Sequence, residues 1–201
     1  MRWEFEMTLP EILNNIEHDE EEFSDLNLPR EQLIDHVFEN CVFKQCNLSG
    51  ADLSRTRFIS CKFIACDLSN VILKNGRIRD TTFSSCKLMG LQWVHLDDVV
   101  NPEFDECNLQ YCNFVGLKLK KTKFFKSNLR DIDFSQADLA ESDFRESDLS
   151  NARFNETNLI KANFRGAFNY LIDPSINKIR GARFSFPEAQ GLLAGLGIIL
   201  D

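Results

Sequence analysis

The chain has 201 residues, with 23 Lys+Arg against 31 Asp+Glu, for a formal charge of −8 at neutral pH. Apolar residues make up 43% of it, too many for a disordered chain, and one folded domain is the expectation at this length. The acidic balance argues against electrostatic binding to nucleic acid or to an anionic membrane face, and seven Cys is an odd number for a fully paired disulfide framework.

The N-terminal stretch MRWEFEMTLPEIL is acidic and lacks the basic start and apolar run of a signal peptide. The longest apolar run, Gly191 to Leu200, is too short to span a bilayer. A cytoplasmic protein with no membrane contact is the expectation. Thr8-Leu-Pro-Glu11 has the form of a capping box with an early proline, and predicts a short helix with Leu9, Ile12, Leu13 and Ile16 on one side. Residues 1–22 are read as an acidic N-terminal cap, its run Asp19 to Glu22 solvated.

From Phe23 every fifth residue is large and apolar: Phe23, Leu28, Leu33, Phe38, Phe43, Leu48, Leu53, Phe58 and onward to Trp93. The series slips by one residue and resumes at Phe104, continuing through Leu109, Phe114, Leu119 and Phe124 to Phe164. A step of five spreads side chains round a helix and alternates them across a flat strand. One geometry satisfies it: each five-residue unit turns a corner, and its middle residue points into a closed coil. Phe recurs at 23, 43, 63 and 83, then at 104, 124, 144, 164 and 184, so twenty residues close one coil with four sides. Two positions before each large residue comes a mostly small inward site, and all seven cysteines (Cys41, Cys46, Cys61, Cys66, Cys86, Cys107, Cys112) occupy it.

The units ADLSR, ADLAE, SDFRE, SDLSN, ARFNE and ANFRG resemble the pentapeptide-repeat family, over about Phe23 to Phe164. That resemblance implies an all-β fold, a right-handed quadrilateral β-helix, here with a short N-terminal helical cap and a C-terminal helix. The repeat is assigned to residues 23–184, with an interruption at 94–103 that holds either a bulge or a loop. Residues 185–201 are assigned to a C-terminal helix and dimerisation tail. Ser185-Phe-Pro-Glu188 has the capping-box form, and Leu192, Leu193 and Leu196 follow at helical spacing before Gly197. Leu192, Leu193, Leu196, Ile198, Ile199 and Leu200 would then form a two-fold contact at the rod end.

Catalytic chemistry has little to rest on. His18 lies in the acidic run, His36 at a small-residue position and His95 in the interruption, with no metal-ligand spacing and no phosphate-cradling glycine motif. The cysteines are expected to fill the core. A non-enzymatic protein without metal or cofactor follows.

Charge is zoned. Residues 1–32 carry ten acids and two bases, so they hold −8 of the net charge. Residues 107–130 hold Lys118, Lys120, Lys121, Lys123, Lys126 and Arg130 and no acids. Residues 131–156 hold eight acids against Arg145 and Arg153, for −6. Asp131, Asp133, Asp138, Glu141, Asp143, Glu146 and Asp148 are the candidate partner-binding belt.

Asn169-Tyr-Leu-Ile-Asp-Pro174, Ala182-Arg-Phe-Ser-Phe-Pro-Glu-Ala189 and Leu192 to Ile198 resemble the tail of the topoisomerase-protecting pentapeptide proteins, as does Met89-Gly-Leu-Gln-Trp93. These are the Qnr quinolone-resistance type and, more closely, the albicidin-resistance and microcin-immunity types. The resemblance implies a homodimer whose acidic surface mimics DNA on gyrase or topoisomerase IV and protects that enzyme from drugs or toxins, with no direct nucleic-acid contact. The long projecting loops of the Qnr type are missing from the sequence. The alternative is an interaction scaffold of the same family with a different partner.

Overall fold

A computed structural model describes residues 12, 14–194 and 196. They form a parallel β-solenoid of about eight turns. One face carries β1 (Glu17–Asp19), β3 (Val37–Glu39), β5 (Arg57–Ile59), β7 (Arg77–Arg79) and β9 (Asp98–Val100). The next carries β2 (Glu22–Ser24), β4 (Val42–Lys44), β6 (Lys62–Ile64), β8 (Thr82–Ser84), β10 (Glu103–Asp105) and β11 (Lys123–Phe125). The third and fourth faces are held by single parallel bridges such as Asn47↔Asp67 and Asp52↔Ile72. Near the far end β12 (Asn163–Phe164) pairs with β13 (Arg183–Phe184).

The five-residue unit behaves as its pattern requires. Its middle residue is buried at every position from Phe23 to Trp93 and from Phe104 to Phe164, and half-buried at Val99 between them. Corners are made two residues later, where the backbone enters the left-handed region: Asn40 has φ 54°, Lys126 50° and Glu141 62°. L-residues resist that region by about 1 kcal/mol each, so the stacked core must outweigh a repeated local cost. Along each face identical rings stack, with Phe43 and Phe63 at 4.6 Å and Phe144 and Phe164 at 4.7 Å. Around each coil neighbouring rings meet edge-to-face, as Phe58 and Phe63 do at 5.2 Å.

The small inward site does more than fill space. Its side chain donates to the carbonyl twenty-three residues earlier in regular coils: Cys61 Sγ to Phe38 at 3.2 Å, Ser142 Oγ to Leu119 at 2.9 Å, Thr157 Oγ1 to Phe134 at 3.0 Å. All seven cysteines are free and buried. Burial holds the Cys112 thiol up at about 12, which keeps it protonated and unreactive.

The structure differs from the sequence expectations at both ends of the rod. The coil begins at Glu17 rather than Phe23, because His18 occupies the middle position of β1. It is only 2% exposed and stacks on Phe38 at 4.8 Å, so it is not solvated. Of the expected N-terminal helix face, Ile12 is buried and Ile16 exposed, while Leu9 and Leu13 lie outside the described residues.

The interruption is a single 3₁₀ turn, Trp93–His95, which absorbs the extra residue at a corner and returns the chain to β9 in register with β7. Leu96 packs where Gly76 leaves space: a Cβ on Gly76 would lie 3.2 Å from Leu96 Cδ2.

At the C-terminal end a 3₁₀ turn, Glu188–Gln190, runs into one helical turn, Gly191–Ala194. Ser185 does not cap it: the N-cap position is Pro187 without a side-chain bond, and Ser185 Oγ instead accepts the Gly166 N–H at 3.0 Å.

Candidate partner-binding surfaces

The acidic belt is a ring. Asp133, Asp138, Asp143 and Asp148 each sit one residue before a buried middle residue, so successive ones occupy successive faces of a single coil. Each carboxylate accepts the backbone N–H two residues on: Ser135 at 2.9 Å, Ala140 at 3.2 Å, Arg145 at 3.1 Å and Ser150 at 3.0 Å. Asn47, Asp52, Asp67 and Asn128 make the same bond in other coils. This is a local turn device, and it explains Asp or Asn at the position without any partner. Asp131, Glu141 and Glu146 occupy left-handed corners, with φ of 55°, 62° and 60°.

The basic belt is the adjoining coil. The Lys118 backbone pairs with that of Asp138, and the Lys123 backbone with that of Asp143, in register across the coil junction. Glu141 pairs with Lys120 at 3.2 Å and Lys121 at 3.9 Å, Asp148 with Arg130 at 3.7 Å, and Glu146 with Lys126 at 4.0 Å. Within the acidic coil Asp143 pairs with Arg145 at 2.6 Å, while Asp133 reaches Arg153 at 3.7 Å. Asp131 and Asp138 meet amides instead, Asn151 Nδ2 at 3.1 Å and Asn158 Nδ2 at 2.8 Å.

The hydrogen bond from Lys120 holds the Glu141 carboxyl below its usual range. For Asp148, burial opposes the charge, yet bonds from Ser150 and Asn169 with Arg130 nearby outweigh it and lower the value. These exposed pairs add little stability, of order 0–1 kcal/mol each, but they cancel much of the belt's field at a distance. The other neighbour of the basic coil is acidic too, with Lys123 3.6 Å from Asp105 and Lys126 3.9 Å from Glu106. Lys123, Lys126 and Arg145 also surround the Phe125 ring at 5.6, 5.1 and 5.3 Å.

The C-terminal end is apolar and open. Phe186 is 80% exposed and Leu171 69%, with Phe168, Ile176 and Leu196 exposed beside them. Leu192 packs partly against the core, and Leu193 is half-buried. Ile198, Ile199 and Leu200 lie outside the described residues. Tyr170 is buried under this end, its hydroxyl without a partner among the described residues, and burial pushes its pKa up to about 12.

Among the described residues no group of three or more His, Cys, Asp or Glu is placed to hold a metal ion, and no helix is long and apolar enough to cross a membrane. His36 is buried with Nε2 3.1 Å from the Ile12 carbonyl, whereas His95 is exposed on the 3₁₀ turn.

The family model described as "Pentapeptide repeat region" matches residues 20–97 and 98–164. Among solved structures, HetL, a pentapeptide repeat protein involved in heterocyst differentiation regulation in the cyanobacterium Nostoc sp. strain PCC 7120, is 17% identical. That likeness covers 88% of this chain and 92% of HetL at a TM-score of 0.59, and it concerns the fold. Full-length QnrB1, a plasmid-mediated fluoroquinolone resistance protein, is 22% identical over 88% of this chain and 100% of its own, at a TM-score of 0.47. No curated protein matches the sequence significantly.

Proposed function

This chain belongs to the pentapeptide repeat family, and on that footing we propose that it is a non-enzymatic, DNA-mimicking rod that binds a type II topoisomerase. As a cytoplasmic homodimer joined at its C-terminal ends, it would occupy the DNA-binding saddle of gyrase or topoisomerase IV and protect that enzyme from drugs or toxins. The carrying observation is the open apolar end, with Phe186 80% and Leu171 69% exposed, close above the acidic coil. At a coil spacing of about 4.8 Å, the acidic ring lies about 10 Å from that end. Two copies meeting there would bring two acidic rings to the centre of one surface. The resemblance of the 169–198 segment to topoisomerase-protecting tails supports the same reading.

Gyrase supercoiling and drug-stabilised cleavage, measured across a titration of the full chain, test it. Inhibition or protection at micromolar concentration is expected, and its loss when Asp131 and Asp138, which have no cationic partner among the described residues, are both changed to Lys. Absence of both effects in the unaltered protein would exclude the topoisomerase.

A second reading has one observation in its favour. Five of the seven belt carboxylates are in ion pairs, which suits a rod that displays a mixed-charge surface to another protein. An acidic belt that survives the double Lys substitution with its partner still bound would favour that scaffold role.

A further inference from the structure

The extra residue at 93–95 leaves a mark on the next coil junction. On the first face the ladder runs from β1 to β9 and stops, resuming only where Lys118 bridges Asp138. The other faces stay closed at this level, through β10 with β11 and through Asn108↔Asn128 and Asn113↔Asp133. In the next coil the Leu119 N–H donates to Asp138 at 2.8 Å and the Lys121 N–H to Ala140 at 2.9 Å. The equivalent amides of Val99 and Asn101 make no backbone hydrogen bond to the next coil, and that of Lys118 facing them makes none to the coil before, among the described residues.

Two further groups are left over at the same place. The Leu119 carbonyl accepts from Thr122 N–H at 3.2 Å and from Ser142 Oγ at 2.9 Å. For Val99 the first donor is impossible, because the residue three further on is Pro102. The second would be Thr122, which is 1% exposed and whose Oγ1 has no partner among the described residues. A groove of about 420 Å³ fills the opening, lined by Val99, Val100 and Leu117 and by two charges of each sign, Asp97 and Asp98 on one side and Lys118 and Lys120 on the other. It shares Asn101, Lys120 and Thr122 with a second groove of about 350 Å³.

We propose that this opening is a docking site for an extended polypeptide segment of a protein partner, with a carboxylate where it meets Lys118, which adds a strand to β9. Unused donors and acceptors alternate along one strand edge, which is what a backbone supplies and a simple anion does not. Half-exposed Val99, Val100 and Leu117 give apolar contact for alternate side chains. Asp98 is paired with Arg79 and Lys120 with Glu141, whereas Lys118 forms no ion pair among the described residues, so its ammonium favours one carboxylate on the incoming segment, and Asp97 opposite disfavours a second. The site adjoins the acidic ring, through Lys118 beside Asp138 and Lys120 beside Glu141, but strand addition at β9 uses other groups than topoisomerase binding, so the peptide titration and the supercoiling assay can fail separately.

The test is a proton–nitrogen correlation titration of the full chain with three probes: an alternating Glu-Val peptide, its backbone N-methylated analogue, and inorganic phosphate. With the unmethylated peptide alone, the amides of Val99, Asn101 and Lys118 should shift and exchange at least about tenfold more slowly. Lys118→Glu, on the outer surface, should weaken that binding about tenfold. An equal response to phosphate would mean a plain anion site, and an equal response to the methylated peptide an apolar groove. Silence at millimolar peptide would mean a groove that holds only water. Each of these outcomes overturns the proposal.

Discussion

Thr122 and Thr157 occupy the same inward position in different coils, are 1% and 0% exposed, and differ in one respect. Thr157 Oγ1 donates to the Phe134 carbonyl at 3.0 Å, whereas Thr122 Oγ1 has no partner among the described residues. Valine has nearly the shape of threonine, so Thr→Val at both sites isolates the hydroxyl. At Thr157 the change removes a buried hydrogen bond and leaves a carbonyl short of a donor, a loss of about 1–2 kcal/mol. At Thr122 it removes a hydroxyl that is already desolvated without compensation, so stability should hold or rise by up to about 1 kcal/mol. The two variants should therefore differ by about 2 kcal/mol. With a urea m-value of about 2 kcal/mol/M, their midpoints should lie about 1 M apart. Equilibrium urea unfolding followed by circular dichroism reads this directly. Equal destabilisation by both changes would mean that Thr122 does find an acceptor, and would remove the basis for an opened ladder at β9.

The corners and the thiols supply two more tests. Gly90 and Gly116 both have left-handed φ, +73° and +70°, but a Cβ on Gly90 would lie 2.5 Å from Asn70 Oδ1 while one on Gly116 meets nothing within 4 Å. Gly116→Ala should cost about 1 kcal/mol, and Gly90→Ala clearly more because Asn70 must move; equal shifts in urea midpoint would contradict the corner geometry. Cys112 is raised to about 12 by burial. A folded value above the unfolded one means that this stability is complete below about pH 9 and is lost as pH climbs from there toward 12, by up to about 1.4 kcal/mol per unit. Cys112→Ala should flatten that alkaline decline, and a profile unchanged by the substitution would count against thiol burial as its cause.

The period of five carried most of the fold because it is a steric requirement repeated in every unit. Each large residue it selects from Phe23 to Phe164 is buried, and even the starting point was legible: stepping back five from Phe23 lands on His18, whose ring continues the Phe38 stack. The acidic composition around His18 hid that step. At the inward small site, size alone could not reveal the donor role, because Ala satisfies the packing while Cys, Ser and Thr also reach a carbonyl one coil away. The C-terminal capping box failed for a tertiary reason, since Ser185 Oγ is engaged by the Gly166 N–H of the previous coil. The slip between Trp93 and Phe104 was visible as a count. Its consequence for the first face was not, because a missing ladder bond has no residue signature apart from Pro102 and the unusually large Leu117.

Charge was the least legible property, and the solenoid explains why. Seven acids within eighteen residues look like a patch in a linear sequence, yet twenty residues make one full circuit of four faces. Clustering along the chain therefore becomes spreading around the axis, and a partner lying against one face meets only a part of it. Proximity comes instead from residues twenty apart, as in Lys118↔Asp138 and Lys123↔Asp143. The basic and acidic stretches, read as opposing zones, are consecutive rungs that neutralise each other. A one-sided acidic surface of the kind that imitates DNA would need acids repeating at intervals of twenty. Residues Glu106, Lys126 and Glu146 show the reverse, an alternating column with Lys126 within 4.0 Å of both its neighbours. Any mimicry by this rod therefore depends on joining two copies, and Asp131 and Asp138, with amide partners only, are where it should be sought.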